Sequence, residues 1–183
     1  MASTSLDDSN RNTYSGSITG LVGVAGDILT FTAPTTNLIM RLMRLSITAV
    51  ATAATDTILT LVKRSTLDTG GTSAGVSTTP HDSNWGNAST VVTSYTAAPA
   101  PGTLVGSALR TAYFNAALTG TGQAFAQTWQ FGDRASACPR IYGPKLVPGQ
   151  PAPLPTQQLA LNVSSSVAGV LYNIDFEFTE DIM

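Results

Sequence analysis

The residues able to do chemistry are few and far apart. The chain of 183 residues has one histidine and one cysteine. His81 stands next to Asp82. A Ser-His-Asp relay needs its carboxylate to orient the imidazole across a site, which adjacent residues rarely do. No Gly-x-Ser-x-Gly elbow leading into a helix is apparent, so His81 reads as a surface loop residue. With only His81 and Cys138 as nitrogen and sulfur donors, a typical zinc site lacks ligands. Asp7-Asp8 has no calcium-loop spacing around it. Gly70-Gly71 is followed by neither a Lys-Ser/Thr pair nor a helix, so it is no phosphate loop. Asp175 and Glu177, two apart on a strand, could be paired carboxylates for glycoside hydrolysis. With Glu180 and Asp181 following, they read better as a solvated acidic edge. The expectation is a non-enzyme with no cofactor and no metal.

Composition points the same way. Charged residues make up 11% of the chain, against roughly 25% in ordinary soluble proteins. Hydrophobic residues, at 43%, are close to the norm. A surface with so little charge suits burial against neighbouring chains, because charged residues are depleted at the centres of interfaces. The net charge of −2 offers nothing to a phosphate backbone, so no nucleic-acid partner is expected. Arg41, Arg44, Lys63 and Arg64 are the nearest approach to a basic cluster, and they read as solvent-facing strand residues. The apolar run from Leu38 to Val50 is interrupted by Arg41 and Arg44 and is too short to span a membrane. The first residues lack a basic, then apolar, secretory pattern. One cysteine forms no intrachain disulfide, so folding and assembly in a reducing cytoplasm are expected.

The elements that would position any site are strands. Val170, Tyr172, Ile174, Phe176 and Phe178 alternate with Leu171, Asn173, Asp175, Glu177 and Thr179. That period of two means a long strand with one side in the core. Met43, Leu45, Ile47 and Ala49 alternate likewise, although the half of that run before Met43 is less regular and could be a helical turn. Further strands are expected at Ile18–Val24, Ile28–Ala33, Thr57–Arg64, Thr90–Thr96, Leu109–Leu118, Gln127–Phe131 and Leu159–Val163. Gly26-Asp27 reads as a turn. Eight or nine strands without a long amphipathic helix make an all-β chain: a single β-sandwich, jelly-roll-like. Residues 1–17 read as an extended N-terminal arm and residues 18–183 as the sandwich. That domain carries a polar loop over residues 65–89 and a Pro-rich loop over residues 143–157. Loops longer than about 12–15 residues usually have a job. The arm and the polar loop are therefore the expected contact segments, with Leu6, Tyr14, Trp85 and Tyr95 as interface residues.

Three passages taken together resemble small structural virion proteins of tailed bacteriophages. The first runs from Arg44-Leu45-Ser46-Ile47-Thr48-Ala49 through Leu61-Val62-Lys63-Arg64-Ser65-Thr66 to Asp68-Thr69-Gly70-Gly71-Thr72. The second is Pro80-His81-Asp82-Ser83-Asn84 leading to Tyr95-Thr96-Ala97. The third comprises Leu146-Val147-Pro148-Gly149, Leu159-Ala160-Leu161-Asn162-Val163 and Ile174-Asp175-Phe176-Glu177-Phe178-Thr179-Glu180. The likeness covers most of the chain beyond about residue 40 and departs at Pro151-Ala152-Pro153-Leu154-Pro155. It implies a capsid cement or decoration protein on the head surface, a homotrimer contacting the major capsid protein. Other implied roles are a tail, neck-adaptor or fibre-associated protein. A carbohydrate-binding host-attachment module, with Trp85 and Tyr95 as an aromatic platform, is the alternative of another class.

Overall fold

The alternation from Val170 onward organises the molecule. In the computed structural model, which describes residues 11–51, 55–116, 123–132, 138–145, 155–164 and 169–182, this run is the central strand of a sheet. Twelve strands occur among the described residues. They are β1 (Asn12–Val22), β2 (Gly26–Thr32), β3 (Leu38–Ala51), β4 (Thr55–Arg64), β5 (Thr72–Gly75), β6 (Thr79–Pro80), β7 (Val91–Ala97), β8 (Arg110–Ala116), β9 (Gln123–Gln130), β10 (Arg140–Tyr142), β11 (Gln158–Val163) and β12 (Val170–Ile182). Every expected strand is present, and β5, β6 and β10 are short additions of four, two and three residues.

Two antiparallel sheets pack face to face. The front sheet runs β6-β1-β12-β3, with β9 and β10 both pairing β3. The back sheet runs β5-β7-β2-β11-β4-β8. The chain crosses between sheets at each step from β1 to β4, and again from β8 to β9, β11 and β12. The core lies between the sheets. Phe31 of β2 meets Phe176 of β12 edge-on at 5.1 Å between ring centres, and Tyr14 stacks on Phe178 at 5.5 Å. Phe114 and Phe125, 5.0 Å apart, bring β8 and β9 together at one side of the sandwich. At the other side, β6 and the β5–β7 pair extend the two sheets beyond β1 and β2.

Three bulges explain where the sequence pattern falters. In β3, Met43 is the extra residue opposite the Glu177–Phe178 step. Leu38, Met40 and Leu42 therefore point inward before it and Leu45, Ile47 and Ala49 after it. The irregular half of that run is strand, not a helical turn. In β2, Ile28 is the extra residue opposite the Leu161–Asn162 step, so Asp27 leaves the core face. In β1, the register shifts between Ile18 and Leu21, and Gly20 there takes a left-handed φ of 68° that a side chain would strain.

Two boundaries differ from expectation. The arm was expected to reach residue 17, but Asn12 to Ser17 pair with Glu180 to Asp175 of β12. Tyr14 supplies the apolar anchor for this part of β1 and is 2% exposed. The polar loop of residues 65–89 contains β5 and β6, because backbone pairing with neighbours can order a segment that lacks apolar alternation.

Candidate functional site

The outer faces of the two sheets are built differently. On the back sheet, Thr30, Ala160, Gln158 and Val62 turn away from the core but are nearly inaccessible. They are covered by residues 65–71 and 98–106, which leave β4 and return to β8 as a double-stranded strap. The backbone N–H of Ser65 donates to Thr103 at 2.9 Å, and Thr69 and Ala100 exchange N–H···O bonds of 3.0 and 2.8 Å. The strap is fixed to the sheet through Gln158, whose Oε1 accepts the Asp68 N–H at 3.1 Å. It stops short of the β4–β8 corner, where Ile58 and Tyr113 sit opposite one another and exposed.

Beneath the strap is a sealed charge cluster. The Arg64 guanidinium donates twice to Asp27, from Nε at 2.5 Å and from Nη2 at 2.8 Å. Its Nη1 donates to the Gly102 carbonyl of the strap at 2.9 Å. Asn162 adds a third donor to Asp27 at 2.6 Å. Asp68, on the strap, approaches Arg64 Nε at 3.5 Å and accepts the Gly102 N–H at 2.8 Å through Oδ1. Both aspartate side chains have no exposed surface. The Asp68 Oδ2 has no hydrogen-bond partner among the described residues. Burial first, with the neighbouring Asp27 charge adding to it, pushes Asp68 up to about 6 against the bonds from Gly102 and Arg64. Burial opposes the Arg64 charge, but the Asp27 bonds and the charges of both aspartates more than compensate and raise its pKa. Tyr95 lies close enough to feel both carboxylates; burial chiefly raises its phenol.

The front sheet has no such cover over its middle strands. Rows of small and polar side chains cross it: Ser15, Glu177, Arg44 and Gln130, then Ser17, Asp175, Ser46 and Thr128. Arg44 and Glu177 approach to 3.5 Å, and the Ser46 and Thr128 hydroxyls are 3.0 Å apart. An open groove of about 700 Å³ runs along β1, between Arg44 and Asp175 on one side and Gly75 to Thr79 on the other. Gly16 and Phe176 are among its lining residues, and a Cβ on Gly16 would come within 2.4 Å of the Phe176 ring. At the end of the sheet the row turns apolar. Val22, Leu171 and Val50 are directly opposed on β1, β12 and β3, and are 47%, 43% and 38% exposed.

The acidic end of β12 is not the solvated edge expected. Glu180 is buried and accepts the N–H groups of Ser89 and Thr90 at 3.0 and 2.5 Å, tying the segment after Trp85 to the end of the sandwich. Asp181 pairs with Arg41 and, at 3.3 Å, with Arg11. Arg41 and Arg64 are each 6% exposed, which corrects their reading as solvent-facing; a carboxylate draws each inward. Asp175 and Glu177 do face outward as alternation required, with Asp175 exposed.

Among the expected interface residues, Leu6 lies outside the described residues. Tyr14 and Tyr95 are buried within this chain, at 2% and 7% exposure, and are not free to meet a partner here. Trp85 is half-buried outside the core, where its N–H closes a turn onto Asp82 at 3.0 Å. The buried Tyr95 leaves no aromatic platform with Trp85. His81 is exposed, and its backbone N–H donates to Thr13 at 2.8 Å. Residues 71–75, Gly-Thr-Ser-Ala-Gly, have elbow spacing, but Ser73 lies on the edge strand β5 opposite Tyr95 with no helix after it. No trio of His, Cys, Asp or Glu placed to hold a metal ion occurs among the described residues. The Asp27–Arg64–Asp68 cluster escaped the sequence reading. Gly26-Asp27 looks like a turn, and its partners lie 37 and 41 positions further on.

No protein-family model, no curated protein and no solved structure matches this chain. The class stated by the fold is an all-β sandwich of two antiparallel sheets.

Proposed function

We propose that this chain is a structural virion protein, a cement or decoration subunit that stabilises a phage head through protein–protein contact. The observation that carries the reading is the bare front sheet ending in the Val22–Leu171–Val50 row, on a chain so poor in charge. Apolar residues scattered singly need no explanation, whereas a row across three strands suits a covered surface. The strand order supports it. The layers β1-β12-β3-β9 and β2-β11-β4-β8, with the chain alternating between them, read as a jelly roll, the double-sheet form that viral coats and lectins use. Within this reading the subunits form trimers seated on the major capsid protein, and the front sheet with the residues preceding β1 makes the joints. The protein acts by burying surface, without catalysis or a cofactor.

The test is incorporation into particles. Substituting Val22, Val50 and Leu171 with serine, and separately deleting residues 2–10, should each lower occupancy on purified heads at unchanged solubility. Deletion to residue 16 would remove part of β1 and test folding instead. Wild-type occupancy of both variants, or a copy number of six or twelve per particle, would move the protein from the head shell to the tail or neck.

A further inference from the structure

We propose that the strap over the back sheet is a proton-dependent latch, docked while Asp68 holds a proton and loosened when that proton leaves. Two carboxylates face one guanidinium in a site sealed from solvent. Asp27 takes the bidentate contact and the Asn162 amide, which satisfies it as an anion. Asp68 receives one backbone donor on Oδ1, and its Oδ2 is buried without a partner. An ionised carboxylate in that position leaves a bare, desolvated oxygen, which costs free energy; a protonated one donates to the neighbouring Asp27 carboxylate. Like-charged carboxylates sharing a site resolve the conflict by retaining one proton.

The groups that face Asp68 are Asp27 from β2, Arg64 from β4 and Tyr95 from β7, together with the neutral Gln158 side chain from β11 and the Gly102 N–H of the strap itself. Of these, only Arg64 is cationic, and Asp27 already occupies two of its donors. With both acids ionised the sealed cluster carries one excess negative charge. Asp68 sits on the strap and Asp27 on the sheet, so their repulsion pushes the strap off the face. Loosening exposes Val62, Tyr95 and Ala160, which among the described residues are the buried hydrophobic ones outside the core between the sheets.

The sign follows from linkage. Asp68 holds its proton up to about pH 6 with the strap docked, whereas a solvated aspartate releases it near 4. The docked state therefore binds more protons across that interval, and docking is strongest in acid and weakens as pH rises. This device does not depend on the virion reading; it holds or fails on the isolated protein.

Hydrogen exchange on the purified chain tests it. After correction for intrinsic exchange, the Asp68 amide, which bonds Gln158 of the sheet, should lose about tenfold in protection between pH 5 and pH 8, the ratio that shifted and ordinary values imply. Amides of β12 should not follow it. Asp68→Asn, which donates a hydrogen bond at every pH, should hold the strap at its acid-state protection and abolish the difference. In parallel, the carboxyl carbon of Asp68 should titrate near 6 by NMR, a readout that needs no variant. A midpoint near 4, or a strap whose protection falls equally in wild type and Asp68→Asn, overturns the proposal.

Discussion

The front and back sheets share one core and differ on their outer faces. The back sheet is roofed by a strap of the same chain and conceals two acids, an arginine and three apolar side chains. The front sheet is crossed by serine, threonine and a single Arg–Glu pair, and it ends in three exposed apolar residues in register. One face has already found its cover within the molecule, and the other has not. What an outer face does therefore depends less on its strand than on whether the chain returns over it. Gln158 and Ala160, outward on β11, are buried, while Thr48, Val50 and Asp175 on β3 and β12 are open.

This contrast can be broken at several points. The largest effect is expected from Arg64→Ala, which leaves Asp27 and Asp68 buried without their cation. Removing one partner of a buried ion pair costs about 3–5 kcal/mol, measured by urea denaturation at pH 7. A loss below 1 kcal/mol would mean that solvent reaches the cluster. Next comes enlargement of a buried position beneath the strap. Ala160→Leu should cost about 1–3 kcal/mol through overpacking, whereas Thr48→Leu on the open face should stay within about 0.5 kcal/mol. Equal effects would show that the strap does not press on the sheet. Asp68→Asn should be stabilising by about 2–3 kcal/mol at pH 8 and near neutral at pH 4, since each of the roughly two units of pKa shift is worth about 1.4 kcal/mol. Thermal denaturation at the two pH values reads the difference, and the opposite sign would mean that ionised Asp68 is the stabilised form. The smallest change in stability is expected from replacing Val22, Val50 and Leu171 with serine, each within about 0.5 kcal/mol because the sites are exposed. Self-association of the purified chain, measured by sedimentation, should nevertheless fall. Unchanged association would leave the apolar row without a role in trimer formation.

The legible part of the fold was the part with strict periodicity. Nine strands were readable because alternation reports a face that must be buried, whatever buries it. Bulges blurred that reading at Met43 and at Ile28, where one extra residue reverses the phase and no local signal marks it. Tyr14 and Tyr95 are buried for reasons no local pattern shows: Tyr14 pairs with β12 opposite Phe178, and Tyr95 lies on the covered back sheet near Asp27 and Asp68. The polar loop looked like a contact surface, yet it spends part of its length extending the chain's own sheets.

By itself the sequence determined the all-β character, the scarcity of catalytic groups and the inward face of β12, because composition and a two-residue period act locally. Only the tertiary structure decided which outer face would be covered. Asp27, Arg64 and Asp68 come from a strand start, a strand end and a loop, and no spacing rule links them. They meet because β11 lies between β2 and β4, and because the strap crosses back over all three. Burial then gives an ordinary surface residue type a chemistry that it lacks in water: it raises the pKa of Asp68, an acid that shares one cation with Asp27.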